Sequence, residues 1–238
     1  MLEPLRGISP ASILVAAEFS FSRLDWYNGY MLEGLSWQQN KGRLILFALA
    51  LAAAVLYGSF SFGLPARFNS PDEAANAFFA GRLAQADSLT LDVPLNEQAG
   101  EPIVHPRSTQ VIQGKLAPVS FLGLSLVVGG LGRIFGTGVL PYVTPLGAVL
   151  GLVCFYLILK ELFDRRTAIL SSVLLALLPA FWYYHARSFF HNALFFDFLL
   201  LSTWCLIRGF KVKHWGYYLA TGLAFGVAVF YHSLAKCD

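Results

Sequence analysis

Two adjacent acidic residues open the most polar part of the chain. The stretch Ser70-Pro71-Asp72-Glu73 comes shortly after a long apolar run. In a structural interpretation, Ser70 is an N-cap, Pro71 occupies the first helical position and Glu73 completes a Ser-x-x-Glu capping box. In a chemical interpretation, Asp72 acts on a substrate, and this depends on which other polar side chains reach the same place. The two interpretations are compatible, because one helix start can serve both purposes.

Further polar candidates lie in two later segments. Lys115 ends a proline-containing polar stretch, and the short segment 185–192 (HARSFFHN) carries Arg187, His191 and Asn192. If both segments lie on the same side of a membrane, acids, cations and an amide gather at one water–lipid boundary. Such a set is what an enzyme acting on a lipid-linked anionic substrate needs.

The composition is that of an integral membrane protein. Hydrophobic residues make up 56% of the chain and charged residues 13%, whereas an ordinary soluble domain has about 25% charged residues. Residues 44–64 carry no charge and can cross a hydrocarbon core of about 30 Å. The net charge is only +3 and no basic stripe is interleaved with aromatics, so we predict no nucleic-acid partner. The three cysteines form neither a disulfide framework nor a zinc motif.

Four further apolar runs predict membrane spans after the first. They are residues 138–159, 167–184, 188–207 and 215–231. The loops between them, 160–166 and 208–214, are rich in lysine and arginine, and the positive-inside rule places such short loops in the cytoplasm. We therefore predict a multi-pass protein of the cell membrane (plasma or inner membrane) with a cytoplasmic N-terminus.

The segment 116–136 is also apolar, but we predict that it does not cross. It contains several glycines and Arg133, which suit a lipid-exposed helix poorly. If it crossed, both later basic loops would lie outside, against the charge rule. The predicted fold is therefore an all-α integral membrane protein with about five transmembrane helices and a juxtamembrane or re-entrant helix in a long first external loop.

This topology divides the chain into two regions. Residues 1–43 form a cytoplasmic or interfacial arm, and residues 44–238 form a multi-pass membrane domain whose external loop spans 65–137. Within that loop we predict one helix, at about 71–87, followed by turn-rich chain. The external loop and the segment 185–192 then lie on the same side, so Asp72 and Arg187 can meet.

The order of the motifs resembles that of a known family. The acidic PDEAA after the first span is followed by GKLAPVSF, by FDRR and by PAFWYYHARSFFHNALFF. Over about residues 44–235 this series resembles the C-type membrane glycosyltransferases, above all the protein O-mannosyltransferases and the lipid A aminoarabinose transferases. The resemblance implies transfer of a sugar from a polyprenyl-phosphate donor to an acceptor hydroxyl at the external membrane face.

The resemblance also implies roles for individual residues. Asp72 matches the family's first-loop aspartate, which acts at the acceptor, and Glu73 matches the acid that follows it. Lys115 matches the lysine of a Lys-Pro-Pro-like motif that contacts the donor phosphate, although this chain reads KLAP. Arg187 matches a frequent arginine of the second external loop. Asn192 falls where many members have an aspartate.

These residue types suit the implied reaction. A carboxylate such as Asp72 or Glu73 can act as general base for the attacking hydroxyl. Lys115 and Arg187 can stabilise the charge on the departing phosphate, and His191 and Asn192 complete the predicted substrate-binding set. The implied partners are the lipid-phosphate donor, a protein, lipid or glycan acceptor, and membrane lipids. No cofactor is assigned, the involvement of a divalent cation is left open, and His191 has no second ligand at metal spacing.

Several alternatives stay open at this stage. Lys115 and Arg187 can equally be cations that snorkel to the membrane interface. Asp197 lies inside an apolar span, where an acid is costly and by default a functional candidate, but the sequence names no partner for it. A transporter or flippase-like protein and a non-catalytic membrane scaffold are the alternative functions. Members of the family carry many more spans, so we expect this chain by itself to be inactive.

The topology can be tested by labelling single cysteines with a membrane-impermeant reagent. In a cysteine-free background, cysteines replacing Ser108 and Ser188 should label in intact cells, whereas a cysteine replacing Thr167 should label only after permeabilisation. The reason is that the charge rule places residue 167 on the cytoplasmic side. Labelling of position 167 but not of position 188 in intact cells would contradict both the topology and the shared site.

Overall fold

The computed structural model describes residues 42–62, 68, 70–86, 88–119 and 122–232. The chain divides into two compact units, Met1–Ile45 and Leu46–Asp238. Of the first unit, only residues 42–45 are described. Nearly all of the predicted N-terminal arm, residues 1–43, therefore lies outside the described residues, as does the end of the predicted first span.

The described chain is mostly helical. Its α-helices are α1 (Gly42–Ser59), α2 (Pro71–Ala86), α3 (Pro94–Ala99), α4 (Leu122–Phe135), α5 (Val143–Leu162), α6 (Arg165–Leu177), α7 (Pro179–His185), α8 (His191–Val212) and α9 (Trp215–His232). A 3₁₀ helix, Thr137–Tyr142, leads into α5. Three short strands, β1 (Leu91–Asp92), β2 (Thr109–Ile112) and β3 (Lys115–Pro118), form an antiparallel sheet in the order β1-β3-β2.

Three or four of the described helical segments, rather than five, are candidates for membrane spans by their length and hydropathy. Within the described residues, three helical segments are long and apolar enough to cross a membrane, namely Gly42–Ser59, Thr137–Leu162 and His191–Val212. The pair α6 and α7 makes a fourth if the two helices count as one span, although they meet at a bend of 62°. The predicted span at 215–231 is present as helix α9, but this helix is not among those whose length and apolar composition suffice to cross a membrane. Five transmembrane helices are therefore not confirmed.

The segment predicted as an external loop contains more regular structure than the sequence indicated. Residues predicted as turn-rich chain form α3 and most of the small sheet, and residues 116–118, which we expected at the start of a helix, belong to β3. The turn between β2 and β3 consists of Gln113 and Gly114, which both have positive φ, as a two-residue hairpin turn with the twist of its strands requires. The apolar helix itself, α4, has only 14 residues, too few for a bilayer of about 30 Å.

Small residues allow α2 and α4 to pack closely. Ala80 of α2 and Leu124 and Val128 of α4 are almost fully buried in one apolar cluster. A Cβ atom added at Gly129 would lie 2.9 Å from the carbonyl oxygen of Ala80, closer than such atoms normally approach. The glycine therefore sets the distance between α4 and α2, the helix whose first turn carries Asp72.

The two basic loops meet at one acidic residue. Glu161, at the end of α5, forms ion pairs with Arg208 at 2.8 Å and with Lys211 at 2.9 Å. Asp164 is the N-cap of α6, and the hydrogen bonds from Thr167 hold the pKa of its carboxyl below the usual range. The segments 160–166 and 208–214, which we predicted as loops, thus lie beside each other, and in the structure they include the ends of α5 and α8.

Adjacent glycines of α4 provide a test of this packing. We expect Gly129→Ala to lower the free energy of unfolding by about 1–3 kcal/mol through overpacking against α2. Gly130→Ala is the matched control, because a Cβ there meets nothing within 4 Å and alanine favours a helix by about 1 kcal/mol over glycine. Thermal unfolding in detergent would measure both, and equal midpoints for the two variants would contradict the close approach.

Candidate functional site

The start of α2 points its two acids in different directions. The backbone N–H of Glu73 donates to Ser70 Oγ at 3.4 Å, a long version of the predicted N-cap bond. The Asp72 carboxylate is half-buried and accepts a hydrogen bond from Ser108 Oγ. The Glu73 side chain is buried within the protein. Asp72 is thus the more accessible of the two acids.

Glu73 forms an ion pair with Arg187. Nη2 of the guanidinium donates to Glu73 Oε2, and Nη1 donates to the hydroxyl of Tyr183. The side chains of Glu73 and Arg187 are only 3% and 17% exposed. The guanidinium carbon also lies 4.7 Å from the ring centre of Tyr183 and 4.9 Å from that of Phe190, within the range of cation–π attraction. The guanidinium is therefore held in one orientation from several sides.

The turn that carries Arg187 is bound to two other elements. Ser188 Oγ donates to the carbonyl of Pro141 in the 3₁₀ helix at 2.8 Å, and Asn76 Nδ2 of α2 donates to the carbonyl of Phe189 at 3.1 Å. Phe189 has a φ of 65°, a left-handed conformation that is costly for an aromatic residue. These contacts fix the backbone on both sides of the guanidinium.

Lys115 lies elsewhere, on the small sheet. Its ammonium pairs with Asp92 Oδ1 at 2.9 Å, and the two side chains are 52% and 76% exposed. The two residues face each other across β1 and β3. The structure therefore shows Lys115 in a surface ion pair and does not bring it to Glu73 and Arg187.

His191 and Asn192 begin α8 but face different surroundings. His191 is buried and Asn192 is exposed. Asn192 borders a cavity of about 380 Å³. The other residues around this cavity come from α6, α7, α8 and the residue between α6 and α7, and they are mostly apolar: Leu175, Leu178, Ala180, Phe181, Tyr184, His185, Ala193 and Phe196.

The structure also reveals a polar pair that the sequence did not. Asp197 is completely buried in α8, and both its carboxylate oxygens lie near His185 Nε2, at 3.0 and 3.2 Å. His185 is the last residue of α7 and is equally buried. The sequence indicated such a pair only through Asp197, because a carboxylate in an apolar span needs a partner. Among the described residues, no group of three or more His, Cys, Asp or Glu could hold a metal ion.

Comparison with known proteins agrees with the expected resemblance. Residues 127–235 match the model of the dolichyl-phosphate-mannose-protein mannosyltransferase family, which consists of membrane glycosyltransferases of the C type. The matched region includes Arg187, His191 and Asn192, whereas Asp72 and Lys115 precede it. No curated protein gives a significant match to the chain. The resemblance is thus confirmed, over the region that begins within α4.

The energy that couples Glu73 to Arg187 can be measured by a double-mutant cycle. With Glu73→Gln and Arg187→Met, we expect a coupling of about 2–3 kcal/mol in thermal or denaturant unfolding, because the pair is mostly withdrawn from water. Asp92→Asn with Lys115→Met is the matched control, and its coupling should stay below about 1 kcal/mol because both side chains are exposed. Equal couplings for the two pairs would contradict the special position of Glu73 and Arg187.

Proposed function

We propose, on the premise of this family match, that the protein is a membrane glycosyltransferase that moves a sugar from a polyprenyl-phosphate donor to an acceptor hydroxyl at the external face. The observation that carries the proposal is the ion pair between Glu73 and Arg187. It joins α2, whose first turn carries Asp72, to a turn within the matched region. An acid and a guanidinium thereby lie at one place, as the transfer reaction needs.

We assign the general base to Asp72. Its carboxylate is half-buried and bonded to a serine hydroxyl, so it lies at a protein surface that an acceptor hydroxyl can approach. A carboxylate within hydrogen-bond distance of that hydroxyl can take its proton as the oxygen attacks the sugar. Glu73 is buried against Arg187, and its part in the reaction is to orient the guanidinium.

Arg187 is assigned to the donor phosphate. A guanidinium carries five N–H donors, and Glu73 and Tyr183 each accept one of them. The guanidinium can therefore contact phosphate oxygens while it keeps both protein partners. Its fixed orientation favours this role, since a preorganised donor needs no rearrangement as charge develops on the leaving phosphate. Asn192, at the border of the neighbouring cavity, is assigned to substrate binding, and His191 supports it from the adjacent buried position.

Lys115 is proposed as a second, movable cation. An exposed ion pair such as the one with Asp92 contributes less than about 1 kcal/mol, so the ammonium can leave the carboxylate at small cost. A lysine also has a long flexible side chain that brings a point charge to a phosphate. The donor would then be bound by one fixed and one movable cation.

The alternative functions differ from this proposal in whether the bond between the sugar and the lipid phosphate is broken. A transporter or flippase-like protein moves a lipid without breaking its bond to the sugar, and a scaffold requires no donor. Incubating the protein, in the longest form in which it is expressed, with radiolabelled polyprenyl-phosphate mannose in liposomes separates the three. Release of polyprenyl phosphate that depends on an acceptor supports the transferase.

Asp72→Asn tests the assignment of the base. In a protein form that transfers sugar, we expect the rate to fall by about 10²- to 10⁴-fold, the usual contribution of a general base, with little change in the unfolding temperature. Glu101→Gln is the control, because it removes an exposed carboxylate from the same predicted external loop, away from Lys115 and Arg187. Transfer at an unchanged rate in the Asp72→Asn protein would refute the assignment.

A further inference from the structure

We infer that the buried pair of His185 and Asp197 positions Arg187 for the donor phosphate. The pair holds the end of α7, and Arg187 follows that end by two residues. The consequence for the donor rests on the proposed function. The positioning itself is a statement about the structure, and it can be tested without any activity.

The hydrogen bonds of His185 determine how many protons the pair holds. Nδ1 lies 2.9 Å from the carbonyl oxygen of Phe181, and a carbonyl only accepts, so Nδ1 must carry a proton. Nε2 faces the carboxylate of Asp197. Either Nε2 carries a second proton, or the carboxyl is protonated and donates to Nε2. In both cases the pair holds two protons and has no net charge, which a buried place inside a membrane protein requires.

Two glycines make room for this carboxylate. A Cβ atom at Gly147 would lie 2.6 Å from Asp197 Oδ2, and a Cβ at Gly151 would overlap Oδ1. The two glycines are four residues apart and therefore lie on one face of α5. The carboxylate thus rests against bare helix backbone, with α5 on one side and His185 of α7 on the other.

The helix that the pair holds is short, and it is also packed through Phe181 against Tyr57 and Leu152. Helix α7 has seven residues, begins at Pro179 and is bent by 62° from α6. A proline at the first helical position ends the preceding helix without fixing the direction of the next one. The directional bond from His185 to Asp197 ties the end of α7 to α8, and the contact of its ring with Phe181, whose centres are 3.9 Å apart, holds the imidazole in place within α7.

The position of α7 determines where the guanidinium of Arg187 lies. Ala186 is the C-cap of α7, and Arg187 then donates to Glu73 of α2. Tyr183, which accepts from Arg187 and lies beneath its guanidinium, is itself a residue of α7. Both the backbone and one partner of Arg187 therefore move with the helix whose end His185 holds.

The first experiment measures how firmly the turn is held. In the 238-residue chain with its three cysteines replaced by alanine, Ser188→Cys is labelled by a maleimide, because position 188 is half-buried in the turn that carries Arg187. We expect Asp197→Leu to raise the labelling rate roughly three- to tenfold, the size of coupling through packed contacts. A cysteine at the exposed Ala74 of α2 serves as control and should keep its rate.

Asp197→Asn is the conservative variant and should leave the rate within about twofold. Its amide can donate to Nε2 while Nδ1 still donates to Phe181. If Asp197→Leu does not fold, the double variant His185→Phe with Asp197→Leu removes both polar partners and leaves no buried charge. We expect the same faster labelling there. An unchanged labelling rate in a folded variant without the pair overturns the inference.

The second experiment measures the consequence for the donor. In a protein form that transfers mannose from polyprenyl-phosphate mannose, Asp197→Leu should raise the donor KM by roughly three- to tenfold and leave the acceptor KM unchanged. In an Arg187→Ala background it should add less than about twofold, because the two changes act on one contact. If the effects of Asp197→Leu and Arg187→Ala on the donor KM are fully additive, the inference that Asp197 acts through Arg187 is wrong. If the longest expressed form of the wild-type protein transfers no sugar, the proposed function fails, and the labelling experiment on the 238-residue chain still decides the positioning.

Discussion

A single ion pair joins parts of this chain that are 114 residues apart. Arg187 lies in the turn before α8, and its guanidinium pairs with the buried carboxylate of Glu73. Removing one partner of such a pair is far more costly than forming the pair is favourable, because it leaves a charge in a medium that solvates it poorly. The contact therefore acts mainly as a constraint, and every arrangement of α2, the 3₁₀ helix and α7 must satisfy it.

Close packing and polar contacts alternate along this site. Gly129 lets α4 lie directly on α2, and Gly147 and Gly151 let the carboxylate of Asp197 lie directly on α5. Where the backbones approach each other, side-chain hydrogen bonds such as that of Asn76 with Phe189 fix the direction of the chain. Small residues and buried polar groups together give membrane helices defined positions without relying on burial of apolar surface, which lipid makes ineffective.

The sequence predicts some of these features because their causes are local. Ser70 and Pro71 mark the start of α2 through capping chemistry, and the apolar runs mark most of the long helices. The sheet was missed because strands of two to four residues are too short for an alternating pattern to be evident. Pro179 was visible inside the predicted span 167–184, and its effect on the preceding helix should have divided that span. The partner of Asp197 could not be named, since it depends on a bend whose angle the sequence does not state.

The exposed and the buried cation also differ in how they respond to the medium. At physiological ionic strength the screening length is about 8 Å, so dissolved ions weaken the attraction between the exposed side chains of Lys115 and Asp92. Glu73 and Arg187 are largely removed from water, and mobile ions cannot enter between them. Salt therefore changes the charge that the sheet presents while it leaves the guanidinium in place. The interactions of Lys115 therefore depend on ionic strength, whereas those of Arg187 do not.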